Sequence, residues 1–337
     1  CCLTAGLRQA PARQAAIGAG LPPSVGATTL NKVCGSGMKA VMNACDSLTL
    51  GNVDVAVAGG MESMTNAPYL MTQGRSGYRF GHAQIFDHMT MDGLEDAYNG
   101  EAMGIFAEKC VSKFDFTREE QDAFAVTSLE RAQQAIKEGS FEREIAPVTV
   151  KTRKGEVVCS IDEQPGRSVA DKISQMRPAF IKDGTVTAAN ASSISDGAAA
   201  LVLTRLSVAE KLGMKPLATI HAHSTHSQEP EWFTTAPVGA INKLLAKVAW
   251  SKDDVDLFEI NEAFACVTMA AMKELDLPHE KVNIHGGACA LGHPIGASGA
   301  RIIVTLLGAL QTYGKRKGVA AICIGGGEAT AIAVELI

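Results

Sequence analysis

Two related stretches, one near each end of the chain, decide its fold. The first begins Cys34-Gly35-Ser36-Gly37-Met38-Lys39 and runs through an apolar segment to Gly59-Gly60-Met61-Glu62. The second begins Gly296-Ala297-Ser298-Gly299-Ala300-Arg301 and runs through a similar segment to Gly325-Gly326-Gly327-Glu328. Each predicts a turn, a buried helix, a strand and a glycine turn, in that order. Their repetition predicts a duplicated α/β unit whose pseudo-twofold axis brings both turns to one central site.

The rest of the chain alternates helix and strand patterns around a long interruption. Residues 64 to 116 lack sustained periodicity, which is typical of an excursion from a compact unit. Thr117-Arg118-Glu119-Glu120 is a capping box that predicts a helix to Lys137, ended by Gly139. From residue 198 onwards helices alternate with strands, among them 256–260, 282–284 and 319–324. This alternation predicts a layered α/β fold.

Composition narrows the class of protein. Hydrophobic residues make up 46% and charged residues 20% of the 337 residues, which is typical of a globular enzyme. The net charge of −5 argues against a nucleic-acid partner, which would select a basic surface. Charges, glycines or prolines interrupt the apolar runs, so no membrane span is expected.

The cysteines and histidines do not suggest a disulfide framework or a metal site. The nine cysteines are widely and irregularly spaced, which predicts reduced thiols, and no Cys-x-x-Cys pair exists to hold zinc. His221 and His223 share one face of a strand, but no carboxylate or cysteine is close in sequence to complete a metal shell. We therefore expect no metal and a reducing compartment.

Cys34 is the first candidate for chemistry. A strand-like segment, Leu30 to Val33, precedes it, and a helix follows the glycines after it. The positive end of a helix dipole contributes at most ~2 kcal/mol, or roughly 1.5 pKa units, which predicts a thiol pKa near ~7. The alternative is that a cysteine simply fits a tight turn where nothing larger would. The motif alone leaves both interpretations open.

Three further positions carry groups suited to acid–base or oxyanion chemistry. His293 lies in a glycine-rich loop, where it could bond a thiolate or oxyanion, or could cap the helix expected near residue 298. Cys323 ends a strand directly before Gly325-Gly326-Gly327, whose backbone amides could face the site. Asn261 follows another strand and could position a water or carbonyl, or serve as an ordinary N-cap.

Together these motifs resemble one family. Four separated stretches, in the right order, are similar to motifs of the thiolases: Asn31-Lys32-Val33-Cys34-Gly35-Ser36-Gly37, Asn261-Glu262-Ala263-Phe264, Gly292-His293-Pro294 and Cys323-Ile324-Gly325-Gly326-Gly327. The resemblance runs essentially from end to end, and includes Gly184-Thr185-Val186-Thr187-Ala188-Ala189-Asn190-Ala191-Ser192. Within the family, the chain looks most like the acetyl-CoA acetyltransferase (acetoacetyl-CoA thiolase) branch.

The resemblance implies a role for each candidate. Cys34 would be the nucleophile that carries the acyl group, and His293 would activate it. Cys323 would be the acid/base that handles the α-proton of acetyl-CoA. Asn261 would hold a water that forms one oxyanion hole with His293, and the amides of Cys34 and Gly325 would form the other. A Claisen reaction stabilises an enolate and a tetrahedral intermediate, so two holes and two proton-handling groups are coherent with it.

The family pattern also implies contacts with coenzyme A. The residues at these positions would line the pantetheine channel: Met103, Arg167, Phe180, Ala188, Ser192, Ala263 and Phe264. The chain departs from the pattern at Ala102, where many acetoacetyl-specific members carry a histidine. A second departure is that the family normally has a strand–helix–strand stretch ahead of the segment resembling residues 1 to 18.

From the resemblance we expect a five-layer αβαβα fold of two similar halves. Residues 1–63 and 195–215 would form the first half, 64–194 a loop domain, and 216–337 the second half. The expected activity is reversible condensation of two acetyl-CoA to acetoacetyl-CoA and CoA through an acyl-cysteine, with no permanently bound cofactor. The alternatives are a broader 3-ketoacyl-CoA thiolase and a non-catalytic acyl-CoA-binding protein.

The resemblance also implies an assembly and a location. The expected assembly is a homodimer or a homotetramer built as a dimer of dimers, with residues 64–100 as the candidate tetramer contact. The expected location is the cytoplasm, or the mitochondrial matrix in a eukaryote.

Overall fold

The computed structural model describes all 337 residues, from Cys1 to Ile337. The chain forms ten α-helices and ten β-strands, with short 3₁₀ and π turns between them. The helices are α1 Pro11–Gly18, α2 Ser36–Thr49, α3 Met103–Phe114, α4 Arg118–Glu138, α5 Glu163–Arg167, α6 Leu206–Lys211, α7 Ala236–Val248, α8 Ala265–Leu275, α9 Ala288–Leu291 and α10 Ile295–Thr312. The strands are β1 Val55–Ser63, β2 Tyr69–Leu70, β3 Phe86–Asp87, β4 Val148–Thr152, β5 Gly155–Cys159, β6 Asp196–Thr204, β7 Ala218–Ser227, β8 Leu257–Ile260, β9 Lys317–Ile324 and β10 Glu328–Leu336.

Two sheets form the framework. In the first sheet β1 and β6 pair antiparallel, with Val57 opposite Val202. The second sheet has the order β7-β10-β9-β8, in which only the β8–β9 pair is parallel. The strands between residues 64 and 194 instead form two separate hairpin-like pairs, β2–β3 and β4–β5. The two sheets therefore come from the two expected halves, with the intervening segment outside them.

Helices α2 and α10 pack centrally between the two sheets, as the repeated motif predicts. A Cβ on Gly37 would lie 2.7 Å from the amide nitrogen of Ala300, and one on Gly299 would lie 2.5 Å from that of Met38. The two helices thus contact each other backbone to backbone through matching glycines. This reciprocal contact is the pattern that a pseudo-twofold axis between the halves produces.

The two sheets differ in what covers their outer faces. Helix α7 packs on β7, β10 and β9 of the second sheet. The outer face of the first sheet instead presents exposed side chains, among them Val55, Val57 and Val202. The layered α/β class predicted from the sequence is confirmed. The domain boundaries, and the family's extra strand–helix–strand stretch, stay predictions.

Most elements predicted from sequence periodicity are present, but three statements need correction. The capping box at Thr117 and the left-handed Gly139 bound α4 as predicted. Residues 282–284 form no strand, because only Val282 bridges to Phe258. Residues 30–33 are not a strand either, since Val33 adopts φ 47°. Helix α10 does have the length and apolarity of a membrane span, although it is the largely buried core helix.

Candidate active site

Cys34 lies in a strained turn directly before α2. Val33 has a positive φ of 47°, a conformation that a β-branched residue adopts only under external constraint. The hydroxyl of Ser36 supplies part of that constraint, because it donates to the carbonyl of Val33 at 2.7 Å and accepts from the amide of Lys32 at 2.8 Å. The turn therefore presents the Cys34 side chain in one fixed orientation.

The Cys34 turn packs directly against the turn that follows β9. A Cβ on Gly35 would overlap the side chain of Ile324, so only glycine permits this approach. As a result, the backbone N–H groups of Gly325 and of Cys34 itself lie near the Cys34 sulfur and act to lower its pKa. These are the two amides expected to form an oxyanion hole, and they converge on the half-buried Cys34.

The thiol pKa predicted from the helix dipole is wrong in direction. Burial raises the pKa of Cys34 to about 11, and the amides of Gly325 and Cys34 lower it only in part. The free energy needed to remove the thiolate from water is larger than the stabilisation that the helix dipole and the two amides provide. Cys34 is therefore a neutral thiol at pH 7, and an attack by its sulfur requires a base.

Cys323 occupies the end of β9 and is completely buried. Burial, and next the neighbouring Cys34, raise the pKa of Cys323 well above its ordinary value. This effect of Cys34 on Cys323 indicates that the two residues are neighbours. Cys323 packs in an apolar cluster with the thiols of Cys110 and Cys266, which are also buried. Cys323 is thus a protonated thiol in the resting protein.

His293 is held as a neutral imidazole with one nitrogen free. Burial, and next the charge of Arg301, lower the pKa of His293 to about 3. Nδ1 lies 2.5 Å from the hydroxyl of Ser298, which itself donates to the carbonyl of Pro294 at 3.0 Å. Since the hydroxyl proton is directed to Pro294, Nδ1 is assigned as the N–H donor. Nε2 is buried, unprotonated and without a partner, so it can accept a proton.

Neither His293 nor Asn261 serves as a helix cap, so those two alternatives are wrong. Helix α10 begins at Ile295 with Pro294 as its N-cap, and α8 begins at Ala265 with Phe264 as its N-cap. Asn261 instead sits at the end of β8, fixed by its amide to the carbonyl of Ala321 at 3.0 Å. Both polar atoms of the Asn261 side chain are buried without a hydrogen-bond partner. Such groups typically face a ligand or a bound water.

The segment 191–195 joins the Asn261 loop to the His293 loop. The amide and hydroxyl of Ser192 both donate to the carbonyl of Ala263, at 3.0 and 2.9 Å. At the next residue of the same segment, the carbonyl of Ser193 accepts from the amide of His293 at 3.1 Å. Ile295 then packs in the apolar cluster that includes Val33 and Cys34. These contacts connect the loops that carry Cys34, Asn261 and His293, and Cys323 lies near the end of β9 beside them.

Most residues expected to contact coenzyme A line one wall beside these turns. The rings of Phe180 and Phe264 meet edge to face with centroids 6.0 Å apart, and Phe180 lies where a Cβ on Gly104 would be. The sulfur of Met103 would lie 3.5 Å from a Cβ on Gly325. Ala263 is buried directly before Phe264, and its carbonyl accepts from the half-buried Ser192. Ala188 is exposed, and its contact with coenzyme A stays a prediction.

Arg167 does not join that wall. It lies in the short helix α5 with 67% of its side chain exposed, and its guanidinium pairs with Glu163 at 3.3 Å. It makes no hydrogen bond or ion pair with the residues around Phe180. Its role toward coenzyme A stays a prediction.

Sequence analysis missed two side chains that hold the site together. The motif around Ser298 indicates only a glycine-rich turn, although the spacing of five residues from His293 places Ser298 in the first turn of α10. Glu62 is buried and its carboxylate accepts from the amides of Cys2, Leu3 and Gly296 at 2.8, 3.0 and 2.9 Å. A lone acidic residue after an apolar strand was the available signal for Glu62.

The histidines of β7 have partners other than a metal. His221 lies 2.9 Å from a carboxylate oxygen of Glu335, and His223 lies 2.9 Å from one of Asp46. No group of three or more His, Cys, Asp or Glu side chains in the chain is arranged to hold a metal ion.

The sequence matches family models over nearly its whole length. Residues 1–207 match the thiolase N-terminal domain and residues 214–336 match the thiolase C-terminal domain. The chain therefore belongs to the thiolase family, and the resemblance drawn from its motifs is confirmed.

Similar proteins carry the names of enzymes that transfer acetyl groups. The chain is 51% identical to an acetyl-CoA acetyltransferase from Chromobacterium violaceum, over 99% of this chain and 86% of the relative. It is 52% identical to acetyl-CoA acetyltransferase 2 from Arabidopsis thaliana, over 99% of this chain and 84% of the relative.

Two solved structures share the fold. The Acat5 thiolase from Ascaris suum in complex with coenzyme A gives a TM-score of 0.94 at 44% identity, over 99% of this chain and 86% of that one. The Bacillus anthracis acetyl-CoA acetyltransferase gives a TM-score of 0.97 at 44% identity, over 100% of this chain and 85% of that one.

Proposed function

We propose that this protein is an acetyl-CoA acetyltransferase that condenses two acetyl-CoA molecules to acetoacetyl-CoA and CoA, and catalyses the reverse thiolysis. The observation that carries the proposal is the pair of amides, from Cys34 and Gly325, that converge on the Cys34 sulfur. An acyl group on that sulfur would place its carbonyl oxygen within reach of both N–H groups. The names of the similar proteins support acetyl transfer as the reaction.

The first half-reaction loads Cys34. The Cys34 sulfur attacks the thioester carbonyl while its proton passes to Nε2 of His293. The oxyanion accepts hydrogen bonds from the amides of Cys34 and Gly325, and the carbon–sulfur bond to CoA breaks. The leaving CoA thiolate takes the proton of Cys323. The products are acyl-Cys34, CoA, a Cys323 thiolate and a His293 imidazolium, so all protons are accounted for.

The second half-reaction forms the carbon–carbon bond. The Cys323 thiolate removes an α-proton from a second acetyl-CoA. The enolate oxygen accepts from Nε2–H of His293 and from a water held by Asn261, whose side chain is otherwise unpartnered. The enolate carbon attacks acyl-Cys34, and the collapsing intermediate releases the Cys34 sulfur. That sulfur regains its proton from His293, which restores the resting state.

Covalent labelling of Cys34 tests the proposal. Incubation with radiolabelled acetyl-CoA, followed by acid quench and peptide mapping, is expected to place one acyl label on Cys34, and Cys34→Ala is expected to remove it. A folded protein that binds acetyl-CoA but leaves Cys34 unlabelled would favour the non-catalytic alternative.

Chain length separates the proposed enzyme from a broader 3-ketoacyl-CoA thiolase. Ala102, which is partly buried, sits directly before Met103. We expect kcat/KM for thiolysis to fall as the acyl chain of the 3-ketoacyl-CoA lengthens. Equal kcat/KM for acetoacetyl-CoA and a longer 3-ketoacyl-CoA would favour the broader enzyme.

The assembly and compartment are part of the same proposal. We propose a homodimer, or a homotetramer in which residues 64–100 form the additional contact. Exposed apolar side chains of this segment, Tyr69, Met71, Phe80 and Ile85, support that contact. Light scattering of the wild type against a Phe80→Ser variant tests it.

We propose a location in the cytoplasm or the mitochondrial matrix, which microscopy of the tagged natural protein would distinguish.

A further inference from the structure

Glu262 directly follows Asn261, and its side chain is almost completely buried, with 1% exposure. Its carboxylate accepts three hydrogen bonds, each from a different part of the chain. Oε1 accepts from Nδ2 of Asn283 at 2.9 Å. Oε2 accepts from the hydroxyl of Ser128 in α4 at 2.7 Å and from the amide of Cys289 in α9 at 3.0 Å. The carboxylate therefore ties β8, α4 and the loop before His293 to one point.

The hydrogen-bonding neighbours of Glu262 are arranged around a carboxylate. Burial raises the pKa of Glu262, and the hydrogen bonds from Asn283, Ser128 and Cys289 offset that rise only in part. All three neighbours present a hydrogen to the carboxylate, and a protonated acid would turn its own O–H toward one of them. A neutral amide at this position would do the same with two hydrogens. Only a carboxylate satisfies the arrangement.

Asn283 and Ser128, which bind the Glu262 carboxylate, are themselves hydrogen-bonded to the segments that carry the candidate site. Asn283 accepts from the amide of Ile260 and donates to its carbonyl, both at 2.8 Å, which fixes the last residue of β8 before Asn261. The hydroxyl of Ser128 also accepts from the amide of Gly287 at 2.9 Å. A Cβ on Gly287 would overlap the Glu262 carboxyl group, so glycine is required there.

We propose that Glu262 is a positioning residue that sets Asn261 relative to the loop carrying His293, and so assembles the hole that holds the enolate oxygen. The inference rests on the proposed function. Glu262 touches neither reacting sulfur, and the amides of Cys34 and Gly325 lie on other turns. Displacing its partners would therefore impair enolate formation more than acylation of Cys34.

Glu262→Gln tests the proposal by separating the two half-reactions. Exchange of the acetyl-CoA methyl protons with deuterated water reports enolate formation, and rapid-quench labelling reports acylation of Cys34. We expect exchange and condensation kcat to fall roughly 10- to 100-fold, because small displacements at a reacting centre have effects of that size. The acylation rate and the KM for acetyl-CoA are expected to stay within about threefold of wild type.

Glu259→Gln is the matched control. Glu259 lies in β8, three residues before Glu262, and is as deeply buried, at 2% exposure, and burial raises its pKa to about 8. Its nearest charged partner is Arg301 at 3.9 Å, and it makes no hydrogen bond to either loop. The same substitution there is expected to leave both half-reactions at wild-type rates near pH 7.

The outcomes distinguish this inference from the proposed function. A wild-type protein that fails to label Cys34 would overturn the function. If the wild type is labelled at Cys34 but Glu262→Gln has wild-type rates, the inference alone is overturned. The same holds if Glu262→Gln reduces acylation and exchange by equal factors. If Glu262→Gln does not fold, Ser128→Ala removes one of the three donors. It is expected to lower exchange about 3- to 10-fold with acylation unchanged, and equal loss of both would again refute the inference.

Discussion

Removing the hydroxyl of Ser298 should disable His293 without touching either sulfur. Nδ1 of His293 donates to this hydroxyl, which fixes the imidazole with Nε2 free to accept the Cys34 proton. In Ser298→Ala the buried N–H loses its acceptor, at a cost of about 1–3 kcal/mol, and the other tautomer becomes accessible. That cost corresponds to a fall in kcat of about 5- to 150-fold.

The assay is steady-state thiolysis of acetoacetyl-CoA at saturating CoA, followed by loss of the substrate's enolate absorbance. KM for acetoacetyl-CoA is expected to change little, because Ser298 is fully buried and lies behind the imidazole. Thr305→Val is the matched control, since it removes a buried hydroxyl from the same helix that makes no hydrogen bond to the site. A kcat for Ser298→Ala within twofold of wild type would refute the tautomer argument.

Three further predictions concern stability and binding. Burial lowers the pKa of His293 from 6.5 to about 3, so folding favours its neutral form, and the protein should lose stability as the pH falls below about 6.5. Measuring Tm against pH for wild type and His293→Asn checks this. Parallel curves for the two proteins would contradict it. The pH dependence due to Glu259 is opposite, because its pKa is raised to about 8 and the folded state loses stability as the pH rises from 4.5 through 8. Glu259→Gln should therefore have a higher Tm than wild type at pH 8.5 but not at pH 4.5. Phe180→Ala, which removes the ring that meets Phe264 edge to face, should raise KM for acetyl-CoA several-fold with kcat nearly unchanged. An unchanged KM would remove Phe180 from the binding wall.

Local signals made the secondary structure and the candidate residues predictable. The capping box at Thr117 and the glycine at 139 are short-range features, and α4 begins and ends where they indicate. The repeated glycine motifs likewise predicted two central helices, because only glycine allows the contact between Gly37 and Ala300. These features depend on residues that are close in sequence or repeated within it.

Properties that depend on tertiary packing could not be predicted in the same way. The direction of the Cys34 pKa follows from how far packing removes the sulfur from water, which the helix-dipole argument ignored. The positive φ of Val33 is imposed by Ser36 and by the packing of the turn, and a Leu-Asn-Lys-Val sequence carries no sign of it. The partners of Glu262 are separated from it by up to 134 residues, so no local pattern could bring them together.

The glycine contact between α2 and α10 has a consequence for how ligands enter and leave. Where Gly37 meets Ala300 and Gly299 meets Met38, main chain lies against main chain, so no rotamer change at these points can let the two helices slide or separate. The two sheets and their shared helices then behave as one inflexible body. Any opening that admits a long thioester is confined to the segments outside that body, chiefly the stretch between residues 64 and 194. Variants that alter substrate exchange should therefore be sought there.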